Sequence, residues 1–167
     1  MKYKYLFGPV PSRRLGISLG VDLVPHKICS QDCIYCEVGK TTNLTIKRKE
    51  YIPINEVILE LSEYLSTNPH LDYITFSGAG EPTLNSGLGK IIEFIKNNFP
   101  SYKLALITNS NLLHITQVQN EIIPLDLILP SLDAGSEEVF LKINKPFPDL
   151  NLAQMINGLK ITKSIIK

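Results

Sequence analysis

The sequence carries almost no net charge: 17 Lys and Arg residues against 16 Asp and Glu leave a formal value of +1. That balance excludes a global electrostatic attraction to nucleic acid or to an anionic membrane surface. Long apolar runs are missing too. The longest are strand-sized, well short of the roughly 20 residues that span a bilayer. The N-terminal MKYKYLFGPVPSRRLG is basic but lacks an apolar h-region and a small-residue cleavage site. A cytoplasmic protein with no membrane partner is expected. No internal repeat, low-complexity stretch or linker-like segment divides the 167 residues, a length that suits one domain. A hydrophobic fraction of 44% supports a real core and excludes disorder.

Cysteine is also scarce. There are three, all between Cys29 and Cys36. A secreted disulfide scaffold carries an even number spread along the chain, whereas an odd, tight cluster points to metal ligation in a reducing compartment.

Short apolar runs bounded by Gly, Pro, Asn or Ser predict strands over 17–24, 73–77, 104–108 and 125–129. Helices are expected between them. Asn55 is a candidate N-cap for EVILELSEYLS, whose Val57, Leu61, Tyr64 and Leu65 share one face. Residues 88–99 place Ile91, Ile92, Ile95 and Phe99 at helical spacing, and Pro100 stops the run. A short helix is expected over 116–122, and Asn151 is the candidate cap of LAQMINGLKITKSIIK. Alternating strands and helices predict an α/β fold with a parallel sheet and right-handed crossovers, without hairpins.

The chemistry concentrates in CSQDCIYC, where Cys29, Cys33 and Cys36 sit on one tight loop. Soft sulfur ligands favour an iron–sulfur cluster or zinc. Three thiolates on a four-iron cluster leave one iron open for chemistry. The alternative is a closed Cys₃His zinc site completed by His26 in a non-catalytic module. A plain electron-carrying cluster needs a fourth thiolate, which the chain lacks.

The C-x-x-x-C-x-x-C spacing, with Tyr35 just before the last Cys, resembles the cluster loop of the radical S-adenosylmethionine (SAM) enzymes. The resemblance implies a 4Fe-4S cluster on the three cysteines, with SAM chelating the open iron. Reductive cleavage of SAM then gives a 5′-deoxyadenosyl radical that abstracts hydrogen from a substrate. It places Tyr35 near the adenine, the plain alternative being an aromatic packed under the loop. The segment SGAGEP follows the second predicted strand and is similar to the family's Gly-Gly-Glu motif, with Ala79 standing where Gly is usual. By that likeness Gly78, Gly80 and Glu81 hold the SAM amino group. Asn109 and Ser131, at the ends of the third and fourth predicted strands, are the matching contacts to its ribose or carboxylate. A one-electron donor such as a flavodoxin or ferredoxin is implied as partner.

FGPVPSRRLGISLGVDL and PSLDAGSEEVFLKINKP look like stand-alone radical SAM proteins related to the wyosine tRNA-modification enzymes, which makes RNA a candidate substrate. An activase that installs a radical on a partner enzyme is a rival within the same chemistry. Arg13 and Arg14 form either an anion contact near the barrel mouth or a solvated turn, and Lys47, Arg48 and Lys49 are read as a solvated run. His70 and His114 receive no role. The family fold is a partial (βα) barrel of about six units. Four are countable here, so a barrel truncated to about four βα units is expected, with its fourth strand as an open edge. An inactive fragment of such an enzyme is the remaining alternative.

Overall fold

The structure is a computed structural model describing residues 3–166. Two strands open the chain: β1 (Leu6–Ser12) and β2 (Gly16–Val21). Two very short ones follow, β3 (Ile28–Cys29) and β4 (Asn43–Leu44), paired in parallel apart from the main sheet. Then come β5 (Tyr73–Phe76), β6 (Leu104–Thr108) and β7 (Leu127–Pro130). The main sheet has the order β1-β2-β5-β6-β7, with β2, β5, β6 and β7 parallel and β1 antiparallel to β2.

The strands form where their residues bury. Ile74, Phe76, Leu104 and Leu106 are fully buried and join one core with the helices. Side chains alternate across a strand, so Ile107, next to Leu106, faces the other way and is 40% exposed. The helix-covered face is closed; on the opposite face Ser18, Thr75 and Ala105 are buried as well, and Ile107, near the carboxyl end of β6, is exposed.

Among the described residues five α-helices accompany the sheet, and the buried Phe140 and Met155 of the last two form a smaller cluster apart from the main core. In α1 (Ile54–Leu65), Ile54, Val57, Leu61 and Leu65 recur at the 3.6-residue period and are buried. In α2 (Leu88–Asn98), Leu88, Ile91, Ile92 and Ile95 do the same. Next are α3 (Thr116–Ile122), α4 (Glu137–Ile143) and α5 (Leu152–Ile165). Asn151 caps α5 in a reciprocal box: its side chain accepts from the Gln154 backbone N–H, and the Gln154 side chain accepts from the Asn151 N–H. Asn151→Ala should therefore lower stability by about 1 kcal/mol, read from the denaturant midpoint. An unchanged midpoint would show that the box contributes nothing.

The sheet departs from the expectation of parallel strands without hairpins. β1 and β2 form a hairpin, with Arg13 and Arg14 in its exposed turn. Pro9 and Pro11 lie within β1, and proline is tolerated there because β1 is an edge strand. β2 also ends at Val21 rather than 24, although Leu23 and Val24 remain buried. β7 begins at Leu127 rather than 125, because the Asp126 carboxylate accepts from Leu104 N–H at 2.7 Å and Lys96 Nζ at 2.6 Å.

Asn55 does not cap α1. The helix starts two residues earlier, at Ile54 behind Pro53, and the Glu50 carboxylate accepts from Ile54 N–H at 3.0 Å instead. Arg48 is not solvated either. Its guanidinium donates to Thr83 O at 2.8 Å and pairs with Glu121, the two side chains being only 9% and 13% exposed. Lys47 and Lys49 do face solvent. No helix among the described residues is long and apolar enough to cross a membrane.

The carboxyl ends of β5, β6 and β7 lead into residues 77–81, 109–111 and 131–133. Loops at the carboxyl ends of parallel strands are where such folds bind ligands.

Candidate metal centre

The cysteine loop is closed at its base by the β3–β4 pair. Inside it, Thr41 N–H donates to Asp32 Oδ1 at 2.7 Å and Thr41 Oγ1 donates to Gln31 O at 2.6 Å. Two successive turns, Cys36 N–H to Cys33 O and Gly39 N–H to Cys36 O, curl the tip. The loop docks on the end of α4, where Ile34 N–H reaches Ile143 O at 2.9 Å and Asp32 N–H reaches Asn144 O at 3.1 Å. Its backbone is thus pinned to two distant parts of the chain.

Cys29, Cys33 and Cys36 are half-buried, form no disulfide, and line one cavity of about 210 Å³. Tyr35, Gly78, Gly80, Glu81, Asn109 and Ser131 line the same cavity. All nine residues singled out in the sequence are therefore brought together. His26 is not among them. It is exposed and borders a separate cavity with Lys4, Tyr51 and Pro53. Among the described residues no group of three or more His, Cys, Asp or Glu side chains closes on a point where a single metal ion could sit. The Cys₃His zinc arrangement is therefore not assembled.

The sulfurs differ in their surroundings. Burial, with the charge of Glu81 second, pushes the Cys29 thiol up to about 11. Burial also raises Cys33. Burial acts upward on Cys36 as well, but the hydrogen bond from Lys27 Nζ, 3.0 Å away, helps bring the net shift below the usual thiol range. Asn109 Nδ2 lies 3.4 Å from Cys29 Sγ, and Asn144 Nδ2 lies 3.7 Å from Cys33 Sγ. Each sulfur thus has one side-chain nitrogen donor, and backbone N–H groups add to it, that of Gln31 at Cys29 and those of Val38 and Gly39 at Cys36.

Glu81 forms the polar wall. It is 2% exposed, and its carboxylate accepts from Thr83 N–H (3.1 Å), Thr83 Oγ1 (2.6 Å), Thr108 Oγ1 (2.7 Å) and Asn109 N–H (2.8 Å). Burial raises its proton affinity despite those four donors. No cationic side chain among the described residues pairs with it. The glycines before it are dictated by close approach. A β-carbon on Gly80 would overlap the Ile28 carbonyl oxygen, beside Cys29, and one on Gly78 would overlap the Asp22 carboxylate. Gly78 also has φ +148°, a conformation that favours glycine. Ala79, in place of the usual glycine, is accommodated: its N–H donates to Asp22 Oδ2 at 3.0 Å and its carbonyl accepts from Lys27 N–H at 2.9 Å.

Tyr35 is 50% exposed rather than packed under the loop. Its hydroxyl donates to Asp133 Oδ2 at 2.6 Å and accepts from Asn144 Nδ2 at 2.7 Å, which fixes the ring at the cavity edge. Burial first, then the Asp133 hydrogen bond, pushes its ionisation far upward, so it stays a neutral donor. Ser131 enters through its backbone: its N–H donates to Thr108 O and its carbonyl accepts from Ser110 Oγ.

Sequence reasoning missed Lys27, Gln31 and Asn144. Gln31 lines the cavity and is buried, and its Nε2 has no hydrogen-bond partner. A buried donor of this kind calls for an acceptor. A sulfur-bearing cluster held by the three thiolates would supply acceptors beside it, so the donor set and the orphaned amide both fit an iron–sulfur cluster.

Residues 23–167 match the family model described as Radical SAM superfamily. This chain belongs to the radical SAM superfamily. The four parallel strands with their helices, beside the antiparallel β1, are an α/β arrangement consistent with a partial radical SAM barrel.

The relatives of this radical SAM chain include a UPF0026 protein of Methanocaldococcus jannaschii, 41% identical over 156 residues. The match covers 92% of this chain and 48% of that protein. A UPF0026 protein of Synechocystis sp. is 36% identical over 156 residues, covering 93% of this chain and 58% of its own length. A protein of Brachyspira hyodysenteriae named GTPase Obg is 42% identical over 167 residues, all of this chain and 24% of its own. The chain thus spans between about a quarter and somewhat over half of the curated relatives it matches. It contains no G-x-x-x-x-G-K-[ST] phosphate loop, so the GTPase name carries nothing over to it.

Proposed function

We propose that this chain is the cofactor-binding part of a radical SAM enzyme, with a 4Fe-4S cluster on Cys29, Cys33 and Cys36 and SAM seated against Glu81. The observation that carries this reading is the buried Glu81 carboxylate, which has four hydrogen-bond donors but no cationic partner and shares a cavity wall with three free thiols. A buried carboxylate in a low-dielectric wall favours a ligand that brings a positive charge, and the ammonium of an amino-acid moiety meets that need.

With both groups bound, the chemistry supplied is one-electron cleavage of the SAM sulfonium to methionine and a 5′-deoxyadenosyl radical, which takes a hydrogen atom from substrate. The chain's own residues bind and orient. Glu81 accepts from the ammonium, while Gly78 and Gly80 let the backbone come close to it. Asn109 and Ser131 offer polar groups to the carboxylate or ribose. Tyr35, held by Asp133 and Asn144, presents its ring to the adenine. Ile107, apolar and lining the cavity, limits water along its floor. The electron comes from a flavodoxin or ferredoxin-type donor. RNA is the proposed substrate class, on the resemblance of the N-terminal and 130–146 segments to the wyosine-type enzymes.

The test is anaerobic loading with iron and sulfide, reduction with dithionite, and chromatographic detection of 5′-deoxyadenosine from added SAM. The reading predicts a brown protein that forms 5′-deoxyadenosine. A colourless protein holding one zinc, or a loaded protein that leaves SAM intact, would contradict it.

A further inference from the structure

Of the three side-chain nitrogen donors that meet the cysteine sulfurs, two are neutral amides and one is charged. Lys27 Nζ stands 3.0 Å from Cys36 Sγ, and the residue is only 3% exposed. A buried ammonium is unfavourable unless paired, and among the described residues Cys36 Sγ is its hydrogen-bond partner.

The backbone strengthens the case. Lys27 has φ +57°, left-handed geometry that glycine or asparagine adopts more readily than lysine. The residue is held there from both sides: its N–H donates to Ala79 O at 2.9 Å, and its carbonyl accepts from Thr42 N–H at 3.1 Å and Asn43 N–H at 3.2 Å. The backbone alone would be better served by glycine. The lysine is therefore explained by its side chain, aimed at one thiolate from under the loop.

We propose that Lys27 sets the reduction potential of the cluster, its buried positive charge favouring the state that carries one more electron. This rests on the cluster assignment above. Nothing covalent happens at Lys27: no bond forms or breaks there, and the electron comes from the external reductant. Charge and hydrogen bonds at the ligating sulfurs are established levers on such potentials. Asn109 and Asn144, being neutral and farther from their sulfurs, act more weakly.

The experiment is a potentiometric titration of the reconstituted chain, followed by electron paramagnetic resonance, on wild type, Lys27→Met and Lys27→Gly. Methionine keeps the length without the charge; glycine removes the side chain while suiting the left-handed backbone. Lys40→Met, on the exposed part of the same loop, controls for charge without contact. Both Lys27 variants should be at least about tenfold harder to reduce, which is about 59 mV more negative, with Lys40→Met unchanged. Potentials equal to wild type in fully loaded Lys27 variants would overturn the proposal. So would folded variants, checked by circular dichroism, that both fail to hold the cluster, since Lys27 would then serve assembly. If the wild-type chain takes up no cluster, the failure is that of the function proposed above, and a different result from either of these.

Discussion

Cys33→Ala is expected to leave the chain folded but colourless after anaerobic loading, and to abolish formation of 5′-deoxyadenosine. The side chain lies on the tip of the loop, half-buried, with Gln31 and Asn144 beside its sulfur. None of the backbone bonds that pin the loop to α4 or close its base passes through that sulfur. Removing it therefore costs little in folding, on the order of 1 kcal/mol. Two remaining thiolates cannot hold a cubane whose only protein ligands are these three. The measurements are iron and sulfide content, visible absorption and the product assay, with circular dichroism to show that the fold survives. Retention of the cluster in this variant would mean that another side chain serves as a ligand.

Glu81→Ala should damage both stability and binding. The carboxylate is the acceptor for two buried backbone N–H groups, those of Thr83 and Asn109, and for two hydroxyls. Hydroxyls can rotate toward other partners, but the backbone donors are fixed. Each unsatisfied buried donor costs about 1–3 kcal/mol, and the emptied volume adds to this, so a loss of about 3–5 kcal/mol is expected. Glu81→Gln separates the two effects. It keeps the volume and three of the four acceptor contacts, leaving the amide against the Asn109 N–H, at a cost of about 1–3 kcal/mol. Its effect on SAM should be larger, because it removes the charge that faces the ammonium. Charge-assisted hydrogen bonds are worth about 1.5–3 kcal/mol, so affinity should fall roughly 10- to 100-fold. Denaturant midpoints and calorimetric titration of SAM into the loaded chain measure the two. Wild-type affinity in Glu81→Gln would remove Glu81 from the SAM site.

How far the sequence carries varies with the range of the interaction involved. β6 and α3 run over the residues that local pattern predicts, and so does the Asn151 cap, because burial period and capping are local signals. The cysteine spacing and the glycine-rich turn after β5 point to the cavity for the same reason. What stays hidden depends on long-range partners. β1 reads poorly because two prolines interrupt it, and only its place at the sheet edge makes it a strand. α4 is capped by Ser136 but buries only Phe140 among its seven residues, so its period is faint. Asn144 at its end therefore had no visible link to Tyr35 or Cys33. Arg48 looked like part of a solvated basic run until Glu121, on α3, came to meet it. Lys27 gave no signal at all, since nothing local marks a lysine that takes a left-handed turn under a thiol.

The central claim is that three cysteines hold four irons and leave one of them to an amino-acid ligand. Mössbauer spectroscopy of the chain loaded with ⁵⁷Fe, recorded with and without SAM, tests it most directly. About four irons per chain, with a single iron site whose signal changes when SAM is added, is the predicted result. A spectrum unmoved by SAM, or an iron count far below four with zinc in its place, would contradict the account.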